Sequence, residues 1–131
     1  MSVEVTIIDG PLPPHQPTSA PSDVGAFVLF DGVVRGLEGG EAIAGLSYEV
    51  YEPMASRELG RLATRMFEFE GVRAIRVWHS RGFVPVAKPS FRLQVMAAHR
   101  KEALRAVDEF IDSMKRDIPI WKRAERSAPS P

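Results

Sequence analysis

Two stretches of this sequence space their apolar residues as a helix with one buried face would, and the rest of the chain must fold against those faces. In the first, Met54, Leu59, Leu62, Ala63, Met66 and Phe67 recur at three- and four-residue intervals. That spacing predicts a one-sided helix of roughly four turns. Pro53 suits its first turn, and Gly71 supplies a stop signal. In the second stretch, Ala103, Leu104, Val107, Phe110, Ile111 and Met114 form the core stripe of a helix from about Lys101 to Arg116. At about 100° per residue, Lys115 falls on the border of that stripe, where its stem can lie on apolar surface while its head stays mobile.

The remaining segments read as strands and turns. Val3 to Ile8 alternates weakly and predicts a first strand. Gly25 to Val34 is strongly apolar, with β-branched and aromatic residues, and predicts a central, buried strand. Gly36 to Gly40 supplies a flexible turn, after which Ile43 to Tyr51 is expected to return beside the previous strand, with Leu46, Tyr48 and Val50 on one parity. Val72 to Trp78 reads as half-buried, and Phe91 to Ala97 as a strand with Phe91, Leu93, Val95 and Ala97 inward. Ser80 to Pro89 is expected to be a loop held open by two prolines. Residues 11–22 form a proline-rich surface segment without a ladder of its own, and residues 124–131 a flexible tail. The order strand, strand, strand, helix, strand, strand, helix predicts one α+β domain over residues 1–131, with a largely antiparallel sheet and two helices on one face. No internal repeat interrupts it.

Composition narrows the chemistry. Seventeen basic residues balance seventeen acidic ones, which argues against a general polyanion binder and hence against nucleic acid. There is no cysteine, so disulfides, thiolate metal sites and a cysteine nucleophile are excluded within this chain. His15, His79 and His99 are widely separated and lack metal-ligand spacing, so no metal and no resident cofactor are expected. The longest apolar run, Ala26 to Phe30, is too short to cross a bilayer, and Met1 to Glu4 lacks the basic start of a secretory signal. The expected location is cytoplasmic.

Three clusters of cations stand out. Lys115 is followed by Ile118-Pro119, which cannot continue the helix, and then by Trp121-Lys122. A cation at a helix end is thus followed by a fixed bend and a second cation, an arrangement suited to a carboxylate-like or phosphate-like group. Lysine in a last helical turn also complements the helix dipole with no ligand at all. Trp121 either walls such a pocket or is the last core aromatic. The second cluster ends the apolar strand at Val34-Arg35-Gly36, presenting a fork-shaped donor beside a residue that allows close approach; a solvated turn arginine is the alternative. The third, Ala98-His99-Arg100-Lys101, places basic groups at a helix start, where the dipole favours anions. A bound anion would offset that conflict; a helix-entry histidine beside solvated neighbours is the alternative.

In this order and spacing, the clusters resemble the large, catalytic subunit of molybdopterin synthase. The motifs are Phe30, Gly32, Val34 and Arg35; Leu46, Glu49, Tyr51 and Met54; His79 to Gly82; Ala98-His99-Arg100; and Lys115, Pro119, Trp121 and Lys122. The likeness covers roughly Gly25 to Arg123. It implies an α/β hammerhead joined to antiparallel strands and a sulfurtransferase activity. Sulfur would pass from the thiocarboxylated carboxy-terminal glycine of a small ubiquitin-like partner, ending Gly-Gly, to a cyclic pyranopterin monophosphate, giving the dithiolene of molybdopterin. The external sulfur agrees with a chain that lacks cysteine. The resemblance further implies a homodimer within a heterotetramer. It places Lys115 and Lys122 around the thiocarboxylate as catalytic groups, and Arg35, His99 and Arg100 on the substrate's phosphate and polar edge. The partner's tail would thread near the bend at Ile118 to Trp121.

The chain departs from the family pattern at Val86 to Ser90 and after Lys122, where Arg123-Ala124-Glu125 replaces an earlier glutamate. Members usually lend an arginine-bearing tail to a neighbouring site, a role for which Arg123 or Arg126 are the candidates here. Two rival readings remain: a non-catalytic relative that docks a ubiquitin-like protein without pterin turnover, and an unrelated nucleotide- or RNA-binding α+β domain.

Overall fold

A computed structural model describes residues 1–129. The elements run β1 (Ser2–Asp9), β2 (Ala26–Val33), β3 (Leu37–Glu38), β4 (Glu41–Ala42), β5 (Gly45–Val50), α1 (Met54–Arg65) with a 3₁₀ turn Met66–Glu68, β6 (Val72–Pro85), β7 (Pro89–Ala97), α2 (Arg100–Asp117) and β8 (Ile120–Glu125). The fold is α+β, as the order of patterns predicts. All strand pairs are antiparallel except β1 with β6.

The long strand β6 organises everything else. Its first half lies between β7 and β1, and β7 in turn pairs with β2. Its last residues, Gly82 to Pro85, pair instead with Tyr48 to Gly45 of β5, whose other edge takes β8. The exchange of partners falls just after His79, the last β6 residue paired with β7, and at Gly82, whose φ of +84° is open to glycine at little cost. Both helices cover one face of the β2-β7-β6-β1 half. Leu59, Leu62 and Met66 from the first helical stretch and Ala103, Val107 and Phe110 from α2 bury against Ile75, Val77, Leu93 and Val95. No helix among the described residues is long and apolar enough to cross a membrane.

Several expectations need correction. β2 is an edge strand, not a central one, and Phe27, Leu29, Phe30 and Val33 each keep more than a third of their surface exposed. The strand buried on both faces is β7, which lies between β2 and β6. β5 returns beside β6 and β8 rather than beside β2. The segment Ser80 to Pro89 is a hairpin with a short turn over Val86 to Lys88, because Pro85 and Pro89 sit at strand ends where a missing N–H is tolerated. Leu104 and Met54 are exposed. The buried stripe of α2 is centred on Ala103, Ala106, Val107, Phe110 and Ser113, and Leu104 lies about 100° round from Ala103.

The proline-rich segment carries no strand of its own and is tied to the sheet at Leu12 and Pro13. The Leu12 amide donates to the Pro89 carbonyl, the Leu12 side chain is buried, and the Pro13 carbonyl accepts from Arg92. Residues 124 and 125, expected in the tail, belong to β8 and pair with Leu46 and Gly45. Residues 130 and 131 of that expected tail lie outside the described residues.

Candidate functional site

Where β6 changes partners, the two halves of the sheet part and leave a cavity of about 660 Å³. That volume is within the usual range for small-molecule sites. Six strands and one helix contribute to it, because β2, β3, β5, β6, β7, α2 and β8 all end or bend near this junction. Its walls are apolar and aromatic: Phe30, Leu46, Tyr48, Phe91, Ile111 and Met114.

Three cations line this cavity. Lys115 lies in the last turn of α2. The helix stops where the sequence requires: Ile118 is extended (φ −89°, ψ 136°), its amide closes back on the Met114 carbonyl, and Pro119 follows. The chain turns directly into β8. Lys122, opposite Tyr48 in the ladder, comes back to the same cavity on the side that also carries Ile120. Arg35 arrives from the end of β2. The preceding residue is clamped by the β6–β7 turn, since the Val34 amide donates to the Lys88 carbonyl and the Val34 carbonyl accepts from Ala87. Glu38 of β3 places its carboxylate 3.5 Å from Lys122 Nζ. Arg35 and Lys115 have no ion-pair partner among the described residues.

His99 and Arg100 lie elsewhere. His99 caps the start of α2 with an extended backbone and no side-chain capping bond, and both residues are exposed. Fifteen residues of helix separate Arg100 from Lys115, about 22 Å at 1.5 Å per residue. Within one chain they do not share the cavity with Arg35. The basic helix start is moderated by Glu102 in its first turn. Trp121 neither walls the cavity nor joins the core. It points to the opposite face of β8, is half exposed, and stands edge-on to Tyr51 with ring centroids 4.6 Å apart.

Sequence reasoning missed the polar floor of the cavity. The Tyr48 hydroxyl and Ser90 Oγ are hydrogen-bonded at 2.8 Å. Burial raises the Tyr48 pKa, the Ser90 bond opposes that, and the charge of Glu38 adds to it. His79 is 5% exposed, and its Nδ1 meets the Ser80 carbonyl at 2.8 Å. Burial holds the His79 pKa below its usual value, and the Ser80 carbonyl only partly counteracts this. Period-two parity could have found both: Tyr48 shares a face with Leu46, and His79 with Ile75 and Val77. The site as built suits a flat, partly apolar ligand that carries an anionic group. Donors and cations face it from three sides, and aromatic surface lies beneath.

A family model described as MoaE protein matches residues 10–117. A molybdopterin synthase catalytic subunit of Bos taurus is 40% identical over 99 residues, covering 76% of this chain and 52% of the relative. Its counterpart in Aspergillus fumigatus is 38% identical over 108 residues, 82% of this chain and 57% of the relative. The chain thus spans about half the length of the curated relatives it matches. Among solved structures, molybdopterin synthase from Staphylococcus aureus has a TM-score of 0.81 at 28% identity, over 94% of this chain and 91% of that one. A complex of subunits 1 and 2 of the molybdopterin-converting factor from Helicobacter pylori gives 0.72 at 27% identity, over 92% and 83%.

Proposed function

The chain belongs to the MoaE protein family, and from that premise we propose that it works as the catalytic subunit of a molybdopterin synthase. In this reading it passes sulfur from the thiocarboxylated Gly-Gly terminus of a small ubiquitin-like carrier to a cyclic pyranopterin monophosphate. The observation that carries the proposal is the convergence of Arg35, Lys115 and Lys122, distant in sequence, on one cavity of ligand size. The names of the relatives and the two-subunit complex from Helicobacter pylori support it.

Lys115 and Lys122 face the incoming thiocarboxylate and the reacting carbons. There they stabilise negative charge as it develops and move protons, in a cavity whose apolar walls strengthen both effects. Arg35 grips the phosphate through paired hydrogen bonds. The carrier's tail, narrow because it ends in glycines, enters past the bend at Ile118 to Trp121. His99 and Arg100 keep their role on the phosphate and the pterin's polar edge only in a homodimer, where α2 of one copy starts at the cavity of the other. The exposed apolar edge of β2 supports such pairing, since an unpaired edge of this kind calls for cover. With one carrier at each end, the assembly is a heterotetramer.

The test is single-turnover sulfur transfer from thiocarboxylated carrier to the cyclic pterin, with Lys115→Ala beside the wild type. Loss of a transition-state cation lowers the rate by about 10²-fold or more. Wild-type transfer by Lys115→Ala refutes the role of that lysine. A wild-type chain that binds carrier but never converts pterin leaves the non-catalytic reading in its place.

A further inference from the structure

His79 is the one imidazole on the cavity lining among the described residues, and the residues around it define what it can offer a ligand. Its Nδ1 lies 2.8 Å from the Ser80 carbonyl, an oxygen that can only accept, so the ring proton sits on Nδ1 and Nε2 carries the lone pair. The ring plane is held by Tyr48, edge-on at 5.1 Å between centroids, and by Phe91 at 6.1 Å. The other polar side chains of the lining are oxygen groups already paired with a neighbour, or nitrogen groups that only donate. The Tyr48 and Ser90 hydroxyls bond each other, Glu38 faces Lys122, and Arg35, Lys115 and Lys122 are donors only. Among the described residues, His79 Nε2 is therefore the lining's neutral side-chain nitrogen acceptor, with no hydrogen-bond partner of its own.

We propose that His79 is a specificity-determining residue: it accepts a hydrogen bond from an N–H or O–H donor on the ring system of the substrate, while the cations hold the anionic end. The inference rests on the functional reading above and adds to it a required feature of the ligand, a donor set across the ring from the anion. A ligand that carries the anion but lacks this donor leaves Nε2 buried without a partner, and is selected against for that reason.

Two substitutions separate this role from simple packing. In His79→Asn, the side-chain amide can still donate to the Ser80 carbonyl from the Nδ1 position but does not reach where Nε2 acts. In His79→Gln, the amide oxygen reaches the Nε2 position and the Nδ1 donor is lost. KM and kcat for the cyclic pterin are measured with the carrier-loaded complex, together with Tm for each variant. The expected result is a KM raised about five- to tenfold in His79→Asn at nearly unchanged kcat, and recovery to within about twofold in His79→Gln. Wild-type KM in His79→Asn overturns the inference, as does a KM that follows Tm in both variants. Wild-type protein that neither binds nor converts the pterin overturns the functional reading and this inference with it, an outcome told apart because the wild type itself fails.

Discussion

Replacing Asp31 by alanine tests how the back of the sheet is held. Arg92 lies on the face of β7 away from the helices with only 5% of its side chain exposed. Its Nε and Nη2 donate to the two oxygens of Asp31 at 2.6 and 3.1 Å, and its Nη1 donates to the Pro13 carbonyl at 2.7 Å. Removing one member of a buried pair costs about 3–5 kcal/mol, because the surviving charge stays in the dry interior. Here Asp31 is 34% exposed, so water can enter on its side, and the Pro13 carbonyl remains. Both facts lower the expected cost to about 2–3 kcal/mol. For a chain of this size that is a fall in Tm of about 10 °C.

The double mutant decides whether the stranded charge is the cause. Arg92→Met keeps most of the stem's packing and removes the guanidinium, so Asp31→Ala with Arg92→Met should be about 1 kcal/mol more stable than Asp31→Ala alone. Urea unfolding followed by circular dichroism measures all four proteins of the cycle. A loss below about 0.5 kcal/mol in Asp31→Ala, or a double mutant no better than that single variant, refutes the argument.

Two glycines with opposite surroundings should respond in opposite directions, read as Tm. A Cβ on Gly45 would stand 2.3 Å from the Val84 carbonyl oxygen and 2.7 Å from the Phe83 ring, so Gly45→Ala forces β5 away from β6 and costs about 2–3 kcal/mol. A Cβ on Gly60, inside α1, meets nothing within 4 Å, so Gly60→Ala should stabilise by about 0.5–1 kcal/mol. Protonation of His79 gives a pH dependence with a fixed sign. The folded pKa is depressed by burial, so the unfolded chain binds the proton first as pH falls. The contribution is fully present above the unfolded value near 6.5 and declines as pH drops below it. Urea midpoints at pH 7.5 and 5.5 should therefore diverge less for His79→Asn than for the wild type, although Lys115, Lys122, Arg35, Glu38 and Tyr48 share the cavity in both proteins. Equal divergence contradicts the assignment.

What the sequence made legible was local. The end of α2 at Pro119 followed from one residue's missing N–H, and so did the expectation that Lys115 and Lys122 flank a bend. The inward faces of β7 and the second half of α1 followed from period alone. The edge position of β2 did not, because a continuous apolar run describes burial on two faces without saying what supplies the cover. Phe27, Leu29, Phe30 and Val33 satisfy that description only when another surface lies against them. The hairpin at Ser80 to Pro89 was misread for a related reason. Proline forbids a ladder bond from its own nitrogen, but Pro85 and Pro89 stand at strand ends where that nitrogen has no ladder partner to lose.

The cavity itself is a product of non-local pairing, and that explains why no single motif pointed to it. Arg35, His79, Lys115 and Lys122 meet because β6 leaves β7 and β1 after His79 and Arg81 and takes β5 from Gly82 onward. The strand that changes partners must open a gap between its old and new neighbours. The side chains nearest the gap are those at the ends of β2, α2 and the start of β8. A cation at an element's end can keep its head in water while its stem covers apolar wall, so such a gap can gather positive charge without burying it. His79 lies beneath them on the regular part of β6, where its ring is dry and its tautomer is set by the adjacent carbonyl. The same strand exchange thus supplies a mobile charged rim and a rigid neutral floor. Charge at the rim can draw in and polarise an anion, and the floor can tell one ring from another.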